Sequence, residues 1–121
     1  MKPFYIYVLR LEGGKYYVGK AVDPESRFEK HTEGKGARWT RRFKPLEMIE
    51  KYETTNPFDE DKTTKEYMSK YGIDNVRGGS YVGKRISDEE RCFLEKEIRM
   101  ALGLCTLCGG AHLSRFCKNR L

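Results

Sequence analysis

Two β-prone runs that flank a pair of glycines constrain the fold of this chain more than any other feature. Residues 4–11 and 15–19 are rich in aromatic and β-branched side chains, and a Glu-Gly-Gly segment separates them. Such runs around a short glycine turn predict an antiparallel β-hairpin. Tyr7 and Tyr17, one on each strand, can approach each other across the ladder. Tyrosines on a sheet are common, so alone they favour no particular function.

Start and stop signals after the hairpin predict three helices and one further strand. The predicted elements are a helix from Asp23-Pro24 to about His31, a strand over residues 46–53, a helix from Asn56-Pro57 to about Tyr71, and a helix from the capping box at Ser87 to about Leu102. The fold class is therefore α+β, a small three-stranded antiparallel sheet flanked by helices. Residues 1–102 form this domain, and residues 103–121 form a separate tail.

The charge of the chain favours a polyanionic partner. The formal net charge is +6 and the sequence pI is about 9.2, although many ordinary soluble proteins are equally basic. No apolar run reaches spanning length, and the N-terminal residues lack the apolar region of a signal peptide. We therefore expect an intracellular protein, cytoplasmic or nuclear and of cellular or viral origin, without a membrane partner. In a reducing compartment the 4 cysteines are expected to be metal ligands or core thiols.

Arg27 and His31 are four residues apart on the first predicted helix, so they share one face. A guanidinium group can hold two phosphate oxygens, and an imidazole can take up or relay a proton near neutral pH. This pair suits an anionic substrate. The alternative is a solvated helix face on which Arg27 pairs with Glu25 or Glu29.

The hairpin and helix residues together resemble the signature of the GIY-YIG nuclease family. The matching positions are Tyr5-Ile6-Tyr7, then, after 9 residues, Tyr17-Val18-Gly19, and then Arg27 and His31. Residues 34–42 are also similar to the short, stand-alone members of this family. The resemblance covers roughly residues 4–53 and weakens over 54–102, where the order of elements alone matches. Tyr5 departs from the pattern, because the family name has glycine there.

The resemblance implies a role in phosphodiester hydrolysis for each matching position. Tyr7 and Tyr17 would flank the scissile phosphate and orient or activate the attacking water. Gly19 would let backbone and substrate come close, and Arg27 would stabilise charge on the phosphate in the transition state. His31 would act as, or assist, the general base. Whether Tyr7 or His31 takes the proton is open, because an unperturbed tyrosine titrates at about pH 10 and needs help from a metal or a base.

The family also implies one acidic metal ligand on a later helix. The candidates are Asp59, Glu60, Asp61 and Glu66. Glu66 is favoured because it lies mid-helix between lysines, whereas the three earlier acids complement the helix N-terminus. A single carboxylate suits one Mg²⁺ or Mn²⁺ ion, which keeps several waters and acts as a Lewis acid. The alternative for Glu66 is an ordinary surface glutamate.

A basic segment follows the first helix. Residues 34–44 hold five cationic side chains and no acid, interleaved with two aromatic rings. Such a run is usually a solvated surface, but its place directly after His31 favours contacts with a nucleic-acid backbone and stacked bases. A Gly-Gly turn after Arg77 can form a phosphate-binding nest, or a plain turn with a solvated arginine. The predicted substrate-binding residues are Gly19, Lys35, Arg38, Trp39, Arg41, Arg42 and Arg77.

The tail carries a set of four metal-binding side chains. Cys105, Cys108, His112 and Cys117 supply three thiolates and an imidazole, a tetrahedral set for a structural Zn²⁺ ion. The pattern resembles a nucleic-acid-binding zinc knuckle, with one residue fewer than usual between the second cysteine and the histidine. Unliganded cysteines are the alternative. Cys92, inside the third helix, is predicted to be a core thiol.

These patterns predict a metal-dependent endonuclease that hydrolyses DNA, with RNA not excluded. It would use Mg²⁺ or Mn²⁺ for catalysis and a structural Zn²⁺ in its tail. A short chain favours structure-specific or weakly sequence-specific cleavage, as used in DNA repair or recombination. The alternatives are a non-catalytic nucleic-acid-binding module and an assembly protein whose knuckle contacts another protein. The endonuclease and the binding module predict nucleic-acid binding that falls steeply with salt, whereas the assembly protein does not.

Overall fold

The fold alternates short strands and helices along the whole described chain. The computed structural model describes residues 2–83 and 85–105. The elements are β1 (Phe4–Leu11), β2 (Lys15–Ala21), α1 (Pro24–Thr32), α2 (Arg38–Arg42), β3 (Pro45–Thr54), α3 (Asp59–Tyr71), β4 (Val76–Gly78) and α4 (Asp88–Ala101). One compact unit extends to Arg85 and a second begins at Ile86. The structure therefore groups α4 with the second unit, whereas the sequence predicts it in the first domain.

The first unit is built on a four-stranded mixed sheet with the strand order β3-β1-β2-β4. β1 pairs antiparallel with β2 and β3, and β4 pairs parallel with β2. The α+β class is confirmed, but the prediction of three antiparallel strands is wrong. β4 has only 3 residues and lies in a glycine-rich segment, so it shows no alternating pattern that marks a strand. Its pairing with β2, rather than a pattern in its own sequence, makes it a strand.

The predicted hairpin is confirmed, and its register places the two tyrosines. Tyr7 lies opposite Gly19, and Leu9 lies opposite Tyr17. Because side chains alternate, Tyr7 and Tyr17 project from the same face of the sheet. Gly13 has a φ of 76°, a left-handed conformation that glycine adopts at little cost, and it lies in the turn between the strands.

Each face of the sheet has its own cover of side chains. On one face, the buried cluster is Tyr7, Leu9, Leu11, Tyr17 and Trp39, with Phe28 of α1 and Phe43 packed against it. On the other face, Tyr16 stacks on Tyr71 of α3 with ring centroids 4.1 Å apart. The helices α1 and α2 therefore lie on the side of Tyr7 and Tyr17, and α3 covers the opposite side.

The predicted caps of α1 and α4 are confirmed, whereas α3 begins at Asp59 with Phe58 at its N-cap, two residues after the predicted Asn56-Pro57 start. Asp23 accepts a hydrogen bond from the backbone N–H of Ser26 at 3.3 Å at the start of α1. Ser87 accepts one from the N–H of Glu90 at 3.2 Å at the start of α4. No helix within residues 2–83 and 85–105 is long and apolar enough to cross a membrane.

The environment of Cys92 differs from its prediction. Cys92 is exposed and so is the adjacent Phe93, whereas Leu94 is the buried residue of α4. The prediction of a core thiol is therefore wrong. Three consecutive residues of a helix point in directions about 100° apart, so only one of them lies on the buried stripe.

Candidate active site

A chain of hydrogen bonds joins Tyr7, His31 and Thr40. The Tyr7 hydroxyl lies 2.9 Å from Nε2 of His31, and Nδ1 of His31 lies 2.8 Å from the Thr40 hydroxyl oxygen. Thr40 donates its own proton to the carbonyl of Ala37 at 2.9 Å. The threonine oxygen therefore accepts from N–H at Nδ1, which leaves Nε2 to accept from the tyrosine. Tyr7 and His31 are both 1% exposed, so this arrangement is held rigidly.

Two glycines make room for these rings. A Cβ on Gly19 would lie 2.5 Å from the Tyr7 hydroxyl oxygen and 3.0 Å from the Tyr17 ring. A Cβ on Gly36 would overlap the His31 ring. The sequence predicts a close approach of substrate at Gly19, but the space above its Cα holds the Tyr7 ring. Glycine is thus required at both positions by the packing of the Tyr7, Tyr17 and His31 rings.

Arg27 and burial set the protonation of the site. Burial raises the pKa of Tyr7 above 10.0, although a hydrogen bond and the charge of Arg27 lower it. Burial also raises the pKa of Tyr17 strongly. Burial, and then the charge of Arg27, lower the pKa of His31 to about 4. At neutral pH the tyrosines are protonated and the imidazole is uncharged. We call Tyr7, Tyr17, Arg27, His31 and Thr40 the Tyr–His cluster.

Glu60, in the first turn of α3, is the carboxylate that acts on this cluster. Its charge raises the pKa of both Tyr7 and Tyr17. Burial raises the pKa of Glu60 itself, while the positive charge of Lys20 at the end of β2 opposes that shift. An acid, two tyrosines and a lysine therefore lie close together at this end of the sheet.

The other acids at the start of α3 are engaged in local structure. The Thr54 hydroxyl donates to Asp59 at 2.6 Å. Asp61 accepts hydrogen bonds from the N–H and the hydroxyl of Ser80, both at 2.8 Å. These bonds fix the start of α3 and the turn after β4. Asp59 and Asp61 are thus structural residues that hold the helix on which Glu60 lies.

Glu66, the metal ligand favoured from the sequence, lies apart from the Tyr–His cluster. Its side chain is 61% exposed, and its carboxylate is 4.0 Å from the Lys62 ammonium group. Its charge acts on Tyr52 and Tyr67. On α3 the buried positions Thr64 and Met68 continue the row that begins at Glu60, four residues apart each time. Glu66 lies off this row, so the structure brings Glu60, and not Glu66, to the tyrosines.

The side chains around the tyrosines can hold a hard divalent cation by one carboxylate. No group of three His, Cys, Asp or Glu side chains suited to a metal occurs in the part of the chain that the structure describes. Mg²⁺ needs no such protein cage, because it keeps several waters and binds through one or two carboxylates together with substrate phosphates. The half-buried Glu60 beside the Tyr–His cluster fits that manner of binding.

The basic segment divides into exposed cations and a buried aromatic ring. Arg38, Arg41 and Arg42 of α2 are exposed, and Lys35 is exposed beside Glu33, with 3.5 Å between the charged groups. Trp39 is only 5% exposed, and its Nε1–H donates to the carbonyl of Tyr16 at 3.0 Å. The predicted stacking platform is therefore a core residue, because the helical turn of α2 directs Trp39 inward while the arginines face outward.

Arg77 is also buried, in contrast to the exposed arginine that a phosphate-binding nest predicts. Its exposed fraction is 2%. Its guanidinium donates to the carbonyl groups of Ile73, Val76 and Gly83 at 2.7 to 2.8 Å. It also lies over the Trp39 ring, 4.6 Å from the centroid. Arg77 therefore organises the loops around β4, a role that its sequence context does not reveal.

The predicted zinc ligands lie mostly beyond the described part of the chain. Cys105 is described and is buried in the second unit. Cys108, His112 and Cys117 lie outside the described residues. The zinc site therefore stays a prediction.

Comparison with known proteins identifies the family. The model of the GIY-YIG catalytic domain matches residues 3–72, more than half of the chain. The chain therefore belongs to the GIY-YIG family, a family of nuclease-type enzymes that act on nucleic acids. The resemblance seen in the sequence is confirmed at this level.

The relatives belong to a group named UPF0213, a name that states no activity. A protein of Staphylococcus epidermidis is 31% identical over 70 residues, which are 58% of this chain and 83% of the relative. One of Halalkalibacterium halodurans is 30% identical over 84 residues, 64% of this chain and 87% of the relative. One of Xanthomonas axonopodis pv. citri is 43% identical over 49 residues, 40% of this chain and 48% of the relative. The chain thus spans about half the length of the curated relatives it matches at highest identity. No solved structure matches it.

Proposed function

We propose that the protein is a metal-dependent endonuclease that hydrolyses DNA phosphodiester bonds. The observation that carries the proposal is the convergence of three groups on the Tyr7 hydroxyl. His31 accepts its proton at 2.9 Å, and Arg27 and Glu60 both act on its pKa. A proton acceptor, a phosphate-binding cation and a metal-binding carboxylate around one oxygen are the parts that this hydrolysis needs.

In this mechanism Tyr7 takes the proton of the attacking water and passes its own proton to His31. The Tyr7 hydroxyl is hydrogen-bonded to Nε2 of His31, so in this relay the tyrosine oxygen stands between the water and the imidazole. Water oxygen bonds to phosphorus, its proton moves to Tyr7, and the Tyr7 proton moves to Nε2, while the bond from phosphorus to the leaving oxygen breaks. Thr40 holds N–H at Nδ1 throughout. Arg27 stabilises the added charge on the phosphate.

Burial makes His31 a weak base in the free protein, with a pKa of about 4. The charge of Arg27 contributes to that low pKa. A bound phosphate beside Arg27 would offset this charge and raise the pKa of His31, so substrate binding itself would favour proton transfer. Tyr17 would contact the substrate phosphate from β2, with its proton retained because burial keeps its pKa high.

Glu60 would hold the divalent ion, Mg²⁺ or Mn²⁺, in place of Glu66. When bound, the ion would supply Lewis-acid polarisation of the phosphate. Burial raises the pKa of Glu60 despite the charge of Lys20, and a bound divalent ion would favour the ionised carboxylate. Lys20 would keep the charge of this end of the sheet positive toward DNA.

Exposed cations would hold the DNA backbone on either side of the cut. Lys35, Arg38, Arg41 and Arg42 follow the active-site helix and face solvent, as phosphate contacts require. A zinc knuckle of Cys105, Cys108, His112 and Cys117 would add further contacts. On this proposal, cleavage depends on DNA structure, or weakly on sequence.

The test is cleavage of plasmid and of branched or flapped DNA with Mg²⁺, Mn²⁺ or EDTA. Glu60→Gln and Glu66→Gln form a matched pair, because they make the same change on the same helix. We expect metal-dependent cleavage that Glu60→Gln abolishes and Glu66→Gln leaves within about threefold. Loss in Glu66→Gln alone would return the metal to Glu66. No metal-dependent product with any substrate would overturn the nuclease and leave a non-catalytic binding module.

The zinc proposal has a separate test. We expect the purified full chain to carry about one Zn²⁺, measured by elemental analysis, and Cys108→Ser to lose it, because structural zinc needs four protein ligands. Metal-free preparations, or a Cys108→Ser variant that keeps its zinc, would contradict this assignment without affecting the nuclease.

A further inference from the structure

A cationic groove of about 360 Å³ opens beside α2 in the first unit. Four cationic and two aromatic side chains line it: Lys15, Arg42, Arg77, Arg85, Trp39 and Phe43. Asp74 is the one acid in its lining. Arg42 and Arg85 are exposed, while Lys15 and Phe43 are half-buried. The groove thus presents positive charge around an accessible aromatic ring.

The walls of the cationic groove are fixed by contacts within the protein. Phe43 packs edge-on against Trp39, with ring centroids 4.8 Å apart. The Lys15 ammonium and the Arg42 guanidinium lie over Phe43 at 5.5 and 5.4 Å from its centroid. The buried Arg77 guanidinium, held by three carbonyl groups, supports Trp39 from behind. The aromatic ring and the charges are therefore in place before any ligand binds.

The chemistry of the cationic groove fits one unpaired nucleotide. Its volume lies at the lower end of the range for small-ligand sites, about 300–1,000 Å³. Aromatic rings that stack bases, beside cations that contact phosphates, are typical of single-strand binding. A paired base would first have to be unpaired and unstacked, which costs free energy, so an unpaired base is the expected occupant.

The groove lies on the same face of the sheet as the Tyr–His cluster. Lys15, Tyr17 and Gly19 alternate with residues of the other face along β2. Four residues of strand separate Lys15 from Gly19, about 13 Å at 3.3 Å per residue. At roughly 3.4 Å per nucleotide, this distance corresponds to about four nucleotides of one strand. Trp39 connects the two regions, since it lines the groove and also packs in the buried core beside Tyr7 and Tyr17.

We propose that the cationic groove binds an unpaired nucleotide of the strand that passes through the active site. This inference rests on the proposed nuclease function and names its substrate class, a junction between paired and single-stranded nucleic acid. Phe43 stacks the base, and Lys15, Arg42 and Arg85 contact the flanking phosphates. A deoxynucleotide and a ribonucleotide offer the same base and phosphates to these side chains, so the shared ligand chemistry is an unpaired nucleotide.

Binding of short oligonucleotides to the full chain tests the groove directly. The probes are a 12-nucleotide single strand of dT, the same length of rU, and a blunt DNA duplex, measured by fluorescence anisotropy. We expect Phe43→Leu to weaken single-strand binding about tenfold, within the range for loss of one stacked base. Duplex binding should change less than about twofold. A preference for dT or for rU in the wild type assigns the groove to DNA or to RNA.

Arg42→Ala and Arg41→Ala provide the matched comparison. Both remove one exposed arginine from α2, but only Arg42 lines the groove. Arg42→Ala should lower single-strand affinity more than duplex affinity, and Arg41→Ala should lower both alike. Equal losses in the two variants, or no effect of Phe43→Leu on single strands, would overturn the groove.

Cleavage separates failure of the groove from failure of the nuclease. If flapped DNA is cut over blunt duplex, and Phe43→Leu removes that preference, both proposals hold. If the wild type cuts DNA while Phe43→Leu and Arg42→Ala change neither preference nor binding, the groove alone is wrong. If nothing is cut but Phe43→Leu still weakens single-strand binding, the nuclease alone is wrong.

Discussion

The Tyr–His cluster and the cationic groove share one face of the sheet but are built in opposite ways. In the cluster, Tyr7 and His31 are buried, uncharged and joined by short hydrogen bonds. In the groove, Arg42 and Arg85 are exposed and charged. Proton transfer requires fixed distances and shifted pKa values, which burial provides. Phosphate binding requires charges that reach solvent, so Arg42 and Arg85 of the groove, like Arg27 of the cluster, are exposed.

Removal of the Tyr7 hydroxyl should have the largest effect, because it should lower the cleavage rate without changing DNA binding. We expect Tyr7→Phe to lower the cleavage rate by about 10²- to 10⁴-fold, because the proton path from water to His31 is lost. DNA affinity should stay within about twofold, since the groove is untouched. The measurement is single-turnover cleavage together with binding.

Tyr16→Phe is the control for that substitution. Tyr16 is adjacent to Tyr17 but stacks on Tyr71 on the opposite face. The same loss of one hydroxyl there should change the rate less than about threefold. A Tyr7→Phe enzyme that cleaves at the rate of Tyr16→Phe would remove Tyr7 from the mechanism.

Thr40 is a positioning residue, and its loss should have the next largest effect. Thr40→Val leaves the buried N–H at Nδ1 of His31 without an acceptor, which costs about 1–3 kcal/mol of unfolding free energy. A displaced imidazole should slow cleavage by up to about a hundredfold. Urea unfolding and single-turnover kinetics measure the two effects.

Thr40→Ser restores the hydroxyl and should restore most of the activity. A valine variant that loses stability but cleaves normally would show that Thr40 only supports the fold. A change in the pH profile of cleavage with Thr40→Val, absent in Thr40→Ser, would show that the threonine acts through the protonation of His31.

The contrast between the two regions also explains what the sequence could predict. Strand alternation predicts the Tyr7–Tyr17 pair and helical spacing predicts the Arg27–His31 pair, whereas the family resemblance joined the two pairs into one site. Thr40 was not predictable in this way. It follows a loop after α1, and only the fold places its hydroxyl 2.8 Å from His31.

The sequence held a signal for Glu60, its helical spacing, but its place in the first turn of the helix favoured another interpretation. Its position in the first helical turn indicates a charge that complements the helix dipole. Glu60 lies four and eight residues before Thr64 and Met68, so it shares their buried side of α3. Once Met68 is taken as a core residue, this helical spacing indicates that Glu60 faces the sheet. Glu66 lies mid-helix among lysines, a composition that suits an active site. Its position around the helix, however, turns it away from the buried side of α3.

The burial of Trp39 and Arg77 was not predictable for a related reason. Both residue types are common at nucleic-acid interfaces, and both stand among glycines and cations. Long-range contacts decide their burial: the Trp39 ring nitrogen donates to the carbonyl of Tyr16, and the Arg77 guanidinium lies over the Trp39 ring. No window of sequence contains these partners, and β4 itself was missed because it depends on β2.

Burial of an uncharged His31 should make stability depend on pH. The pKa of His31 is about 4 in the folded protein and 6.5 in its ordinary state, so the unfolded chain binds more protons between these values. Stability therefore falls as pH decreases from about 6.5 toward 4. Between pH 7 and pH 5, His31 should account for a loss of about 2 kcal/mol.

His31→Gln isolates this effect from the titration of carboxylates in the same range. We expect the variant to lose about 2 kcal/mol less unfolding free energy than the wild type between pH 7 and pH 5, measured by urea unfolding. Equal losses in both proteins would mean that His31 titrates normally. It would then not lie in the buried hydrogen-bonded state that the mechanism uses.

The smallest expected effect concerns the exposed cations that connect the two regions. Arg38 and Lys35 are both exposed and precede or begin α2, but the Lys35 ammonium lies 3.5 Å from a carboxylate oxygen of Glu33. Arg38→Ala should reduce the slope of log affinity against log salt by about 0.9 on duplex DNA, the value for one phosphate contact. Lys35→Ala should reduce this slope by less, because Glu33 already offsets part of the Lys35 charge.

Neither variant should alter the rate of cleavage at saturating DNA, because neither side chain touches the Tyr–His cluster. A larger slope change for Lys35→Ala than for Arg38→Ala would show that DNA displaces Glu33, which would make the loop after α1 part of the binding surface.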